Sequence, residues 1–151
     1  MSHKSIRQLL QDTATGLQDD IHYSYGKTTD FNQEQKDKFL MVNTSPLTAS
    51  AGYRNNNATN YMKQWGVEIA FYKFDTADST GEEYAVILDQ TDALVDKFVN
   101  NLNFYSLKSD SIIIQSVNQT PFIKATTDIL TGHILTFQLL VNDDFDYCRD
   151  C

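Results

Sequence analysis

Few residues of this chain have types that could do chemistry, and their spacing points away from catalysis. Cys148 and Cys151 form a Cys-x-x-Cys within the last residues. A structural zinc site would need a second such pair. His3, His22 and His133 are scattered and have no ligand spacing. A thioredoxin-like dithiol opens a helix that follows a strand, whereas this pair lies in an acidic tail. Two thiols in a reducing compartment are the plainer reading. A hydrolase triad needs Ser or Cys, His and a carboxylate brought together, but His133 falls inside a strand pattern and reads as a surface or interface side chain.

The acidic residues fare no better as a site. Asp75, Asp78, Glu82 and Glu83 have the composition of an acid–base pair. Four acids in a turn before a helix read first as a solvated helix start that complements the macrodipole. Asp143, Asp144 and Asp146 have the oxygen density of a calcium loop without the Gly and Glu that an EF-hand requires. A phosphate cradle needs clustered glycines, and Gly81 alone precedes the helix pattern. Trp65 with Tyr61, Tyr72 and Phe74 could offer a stacking platform for a base or sugar, but their period-two setting favours a strand core. The sequence assigns no catalytic, cofactor-binding or metal-ligating residue, and no cofactor is expected.

The elements that would position these residues are legible from periodicity. At 151 residues, one domain spanning 1–151 is expected, large enough to bury a core without a metal or disulfide staple. A helix is predicted from Ser5 to Asp20, with Ser5 and Gln8 as a capping box and Ile6, Leu9, Leu10, Leu17 and Ile21 on one face. His22 to Asn32 reads as an aromatic connector or a first irregular strand. Lys38 to Thr44 reads as a strand through Phe39, Leu40, Met41 and Val42, which Pro46 ends or marks as an edge, and 48–60 as a long exposed loop or hairpin tip. Met62 to Phe74 is a strand with Trp65, Val67, Ile69 and Phe71 on one side. Ala70, Tyr72 and Phe74 make its other side half apolar, so it lies centrally or in an interface.

Thr80 and Glu83 form a second capping box, opening an amphipathic helix to Leu102. Ser111 to Val117 is a strand through Ile112, Ile113 and Ile114, stopped by Pro121. A final strand, His133 to Val141, sets Leu135, Phe137, Leu139 and Val141 on one face. Gly132 breaks the pattern before it, and an acidic tail, 142–151, follows. The fold class is α+β: a small, mostly antiparallel sheet packed against two amphipathic helices, with a long exposed loop or hairpin.

Charge and targeting narrow the partners. Twelve basic and twenty acidic residues give a formal charge of −8. Nucleic-acid recognition uses a basic stripe, and none is present. The charge keeps the chain soluble, or marks a surface that faces DNA without adhering to it. The sequence reads as lacking a signal peptide and any 18-residue apolar span, so no membrane contact is expected. Three sequons, at Asn43, Asn57 and Asn118, read as chance in an Asn- and Thr-rich chain.

The order of elements, together with the closing run Leu130-Thr131-Gly132-His133-Ile134-Leu135-Thr136-Phe137-Gln138-Leu139 and the acidic end Asp143-Asp144-Phe145-Asp146-Tyr147-Cys148, resembles the bacteriophage tail terminator family, also called tail-completion or head–tail joining proteins. The resemblance implies a non-enzymatic virion protein without cofactor, made in the host cytoplasm. It implies a homo-hexameric ring that caps the tail tube, contacts the tail-tube protein and a head-completion or neck protein, and passes genomic DNA through an acidic channel. Under it, Trp65, Val67, Ile69, Tyr72 and Phe74 are the candidate subunit interface. Arg54, Asn56, Asp75, Asp78, Glu82 and Glu83 are the candidates to reach the lumen or a neighbouring ring. The nearly uncharged stretch 54–60 departs from an acidic channel lining. Two other readings compete: a head-completion adaptor between portal and tail, twelvefold in symmetry, and a small enzyme or ligand-binding module with a site near Trp65 and the acidic turn.

Overall fold

The computed structural model describes residues 3–26, 40–53, 61–74, 80–108, 112–125 and 130–142. In chain order these form α1 (His3–Thr15), β1 (Ile21–Tyr25), β2 (Leu40–Thr44), β3 (Thr48–Tyr53), β4 (Tyr61–Phe74), α2 (Gly81–Lys108), β5 (Ile112–Ala125) and β6 (Leu130–Asn142). The strands build one six-stranded sheet in the order β1-β2-β4-β6-β5, and β3 continues the β2 side along β4. Among the described residues, only the β1–β2 pairing is parallel. This is an α+β fold with a mostly antiparallel sheet.

Alternation decides what lies under the helices. On β4, Trp65, Val67, Ile69 and Phe71 face one side, and the paired positions on β6 are Leu139, Phe137, Leu135 and His133. The apolar ones join Ile6, Leu9, Leu10 and Ala14 of α1 and Leu94, Val95, Phe98 and Leu102 of α2 in a single buried cluster. Phe98 sits at its centre, edge-on to Phe71 at 5.5 Å and tilted against Phe137 at 6.3 Å. Each aromatic pair adds about 0.5–1.5 kcal/mol beyond area burial.

The helix ends follow local chemistry. α1 stops at Thr15, short of the predicted Asp20. Gly16 closes the last turn with its N–H on the Asp12 carbonyl at 3.1 Å, as a glycine after a helix does. The helix begins at His3, so Ser5 lies inside it, and Gln8 donates to Asp12 Oδ1 at 2.9 Å instead of reaching back to a cap. α2 opens as expected: Thr80 Oγ1 accepts the Glu83 N–H at 3.4 Å, and the Thr80 carbonyl accepts that of Tyr84 at 3.1 Å. It then continues through Asn103 to Lys108, beyond the predicted end at Leu102.

Three strand boundaries depart from the sequence reading. β1 is a regular strand hydrogen-bonded to β2. β5 runs through Pro121 to Ala125, because it is the last strand of the sheet, where a residue without an N–H is tolerated. β6 begins at Leu130 and includes Gly132. Gly132 allows the two backbones to approach: a Cβ there would overlap the Phe71 carbonyl oxygen and stand 2.7 Å from the Tyr72 Cα. The region predicted as a loop or hairpin tip supplies a hairpin arm, β3, paired with β4 from Thr48↔Gly66 to Tyr53↔Tyr61.

Candidate functional site

The predicted subunit interface does not lie on a free surface. β4 is central, with β2 and β3 along one side and β6 along the other. Trp65, Val67 and Ile69 are buried in the chain's own core. Tyr72 points to the opposite face and is buried there with Met41 and Leu130; burial pushes its hydroxyl pKa far up. The half-apolar second face of β4 thus reflects neighbouring strands of the same sheet. The side chain of Phe74 lies outside the described residues, as do Arg54, Asn56, Asp75 and Asp78. Glu82 and Glu83 stand exposed in the first turn of α2. Asn43 of the first sequon is buried, and its side-chain amide donates to the Gly26 carbonyl at 3.2 Å.

The exposed apolar side chains lie elsewhere. Ile113, Val117 and Ile123, on β5, are 36%, 45% and 47% exposed, and Val86 and Phe104 on α2 are 55% and 60% exposed. β5 ends the strand order, so among the described residues its outer backbone edge has no strand beside it. Such an edge can template another chain, here in segments, because Pro121 and the register shifts at Gln115/Asn118 and Phe122/Ala125 interrupt its ladder. Beside it, α2 carries the exposed acids Asp89, Asp92 and Asp96, spaced three and four apart and therefore on one side of the helix. Gln119 of β5 donates to Asp92 Oδ1 at 2.6 Å, tying that acidic ridge to the outer strand.

Two bulges shape the face away from the helices. The β2–β4 pairing ends at Thr44↔Ile69 and the β3–β4 pairing starts at Thr48↔Gly66, so three residues oppose two. The β5–β6 register shifts between Gln115↔Gln138 and Asn118↔Thr136, so Ser116 and Val117 oppose Phe137 alone. Ser116 takes a left-handed backbone, φ 56°, as the first residue of a bulge that usually holds Gly. Because Val67 pairs with Phe137, both bulges fall in one row across the sheet. Extra residues at matched positions bend it there, and a groove of about 370 Å³ results, lined by Thr48, Gly66, Glu68, Ser116, Asn118 and Thr136 among others. It offers hydroxyls, amides and a single carboxylate.

On the helix side, a second groove of about 490 Å³ lies between the end of α1, the start of β2 and the flank of α2. Leu17, Leu40 and Leu94 form its floor, and Lys73, Lys97 and Asp20 line it. Lys97 Nζ donates to the Leu17 carbonyl at 2.7 Å, a cation placed just past a helix C-terminus.

His133 is held inside the sheet–helix interface. Its Nδ1 is 2.8 Å from Thr91 Oγ1. No group of three or more His, Cys, Asp or Glu among the described residues is placed to hold a metal ion, and no described helix is long and apolar enough to cross a membrane. No protein-family model matches the chain, and no curated protein matches it.

Proposed function

We propose that this chain is a structural subunit that assembles with copies of itself, in the manner of the tail terminator ring at the head-proximal end of a phage tail. One observation carries the reading: the long outer strand β5, with Ile113, Val117 and Ile123 exposed along it. A neighbouring copy would cover that strand, replacing the interface expected on β4. The acidic ridge of Asp89, Asp92 and Asp96, with Glu82 and Glu83, supplies a surface from which DNA is repelled as it passes. In this reading the chain is not an enzyme and acts in the virion, between the tail-tube protein and a head-completion or neck protein.

Negative-stain imaging and native mass spectrometry of the purified chain test the proposal. A closed sixfold ring that binds the ends of tail tubes is the expected result. A twelvefold ring would move the subunit to the portal-side adaptor position. A monomer at all concentrations that ignores tail tubes ends the structural reading.

A further inference from the structure

The groove made by the two bulges runs across the face of the sheet away from the helices. Among its described lining residues it presents three hydroxyls, on Thr48, Ser116 and Thr136, two amides, on Asn118 and Gln138, and one carboxylate, on Glu68. Gln138 is half-buried and the other five are exposed. Gln138 accepts a bond from Gln115 at 3.2 Å. The other five side chains bond to no described residue, so their donors and acceptors are open to an occupant. Pro46 adds an exposed apolar ring, and Gly66 leaves bare backbone on the floor. Ser116, in the wall, holds the left-handed backbone, φ 56°, and non-glycine residues kept in that region cluster at ligand sites.

This lining selects among ligand classes. An anion meets no cation among the described lining residues, and it is repelled by Glu68 and by a chain of formal charge −8. An apolar ligand would strip water from six polar side chains without replacing their bonds. An ammonium or guanidinium group gains one solvated ion pair, worth little. As a donor only, it leaves the hydroxyl and amide protons without acceptors. A neutral ligand rich in hydroxyls both donates and accepts at these positions, and adjacent hydroxyls can donate to the two oxygens of Glu68. The lining comes from β3, β4, β6 and β5 in turn. Three inter-strand steps make roughly 14 Å at about 4.8 Å each, longer than one sugar ring. We propose that the groove binds a neutral oligosaccharide laid across the strands. The site uses the face of β5 and not its outer edge, so it stands apart from the self-assembly reading.

Saturation-transfer NMR on the full chain tests it. The probes are trisaccharides of α-linked glucose, β-linked glucose, mannose, galactose and N-acetylglucosamine at millimolar concentration, beside spermidine as a cation and glucose 6-phosphate as an anion. Transfer to at least one trisaccharide is expected, with weaker or no transfer to spermidine and glucose 6-phosphate. The backbone amide shifts that this trisaccharide moves are expected to cluster at Gly66, Glu68, Ser116 and Asn118. Glu68→Ala is expected to weaken binding roughly tenfold or more, the loss of bonds to a charged acceptor, and Asn118→Ala roughly three- to tenfold. Thr120→Ala is the control: Thr120 is exposed two residues along β5 from Asn118 and does not line the groove.

Absence of transfer to all five trisaccharides overturns the proposal. Tighter binding of spermidine or glucose 6-phosphate than of any trisaccharide does the same, because it assigns the groove to another ligand class. Affinity that neither Glu68→Ala nor Asn118→Ala lowers more than Thr120→Ala places the sugar elsewhere and also overturns it. The substituted side chains are exposed, and circular dichroism checks that each variant keeps the fold. The shift map of the unaltered chain locates the sugar without any substitution.

Discussion

His133 on β6 and Thr91 on α2 meet at 2.8 Å, with Thr91 fully buried. The Thr91 hydroxyl also lies 3.0 Å from the Ile87 carbonyl and 3.1 Å from that of Leu88. A hydroxyl has one proton, and carbonyls accept but cannot donate. Two arrangements satisfy these distances: the O–H points back along its helix while its oxygen accepts from His133 Nδ1–H, or the O–H donates to an unprotonated Nδ1, and the His133 tautomer selects between them. In either arrangement the bond pins the sheet to the middle of α2. Thr91→Val keeps the shape and removes the hydroxyl, leaving the buried His133 Nδ1 without this partner. Urea unfolding is expected to show a loss of about 1–3 kcal/mol; a change under about 0.5 kcal/mol would mean that the bond carries no weight.

The same contact sets a pH dependence. Burial lowers the His133 pKa below the usual 6.5, against the opposing pull of Asp92 and Asp96 on α2. The unfolded chain takes up this proton near pH 6.5 and the folded chain only at lower pH. The stability linked to His133 is thus complete above pH 6.5 and is lost as the pH falls through the folded value. His133→Gln, which keeps an N–H donor, removes this part of the pH profile. Paired unfolding curves from pH 7.5 to 5 should converge as the pH falls. Parallel curves would show that His133 does not titrate abnormally.

Ser116 offers a test of the bulge. A left-handed backbone disfavours any residue with a Cβ by about 1–2 kcal/mol, and Gly recovers this less its own unfolded-state entropy of about 0.5–1 kcal/mol. Ser116→Gly is expected to raise stability by up to about 1 kcal/mol, and Ser116→Val to lower it by more than 1 kcal/mol because a β-branched residue strains most there. Thermal unfolding of both variants gives the sign. Stabilisation by Val would rule out the left-handed bulge and the bend that forms the groove.

Gly132 tests the close approach of β4 and β6. Since a Cβ at this position meets the Phe71 and Tyr72 backbone, and neither can move without parting the two central strands, Gly132→Ala is expected to cost about 3 kcal/mol or more. Soluble yield and circular dichroism against the parent chain check it. Normal stability would mean that the strands are not so closely opposed.

Periodicity foretold the faces of the elements but not their neighbours. The odd positions of β4 and β6 and the inner stripe of α2 were legible because alternation is local. Whether Tyr72 faces a partner or a neighbouring strand depends on Met41 and Leu130 arriving beside it, and those positions lie far away in sequence. The run Ile112-Ile113-Ile114 read as a strand, and successive strand residues point to opposite faces. Ile114 packs against the core, and Ile113 had to face away from it. Pro121 reads as a stop only for an inner strand, and Ser116 gives no glycine signal for its positive φ. Sheet order is fixed by pairing between distant segments, so the edge position of β5, and with it the candidate contact surface, was not visible from residue spacing.

That edge supports a final prediction. If copies of the chain meet along β5, then placing a charge among Ile113, Val117 and Ile123 buries an unpaired ion in the contact. Either sign should break it, because the cost is desolvation. The combined variants Val117→Glu/Ile123→Glu and Val117→Lys/Ile123→Lys are both expected to convert the assembly to single chains. Each site is already about half exposed in one chain, so the fold's own stability should change by no more than about 0.5 kcal/mol per site. Phe104→Glu, exposed on α2, distinguishes the strand edge from the helix. Analytical ultracentrifugation reads the mass and circular dichroism the fold. Assemblies that survive both β5 variants and dissociate with Phe104→Glu would move the contact from the sheet edge to α2.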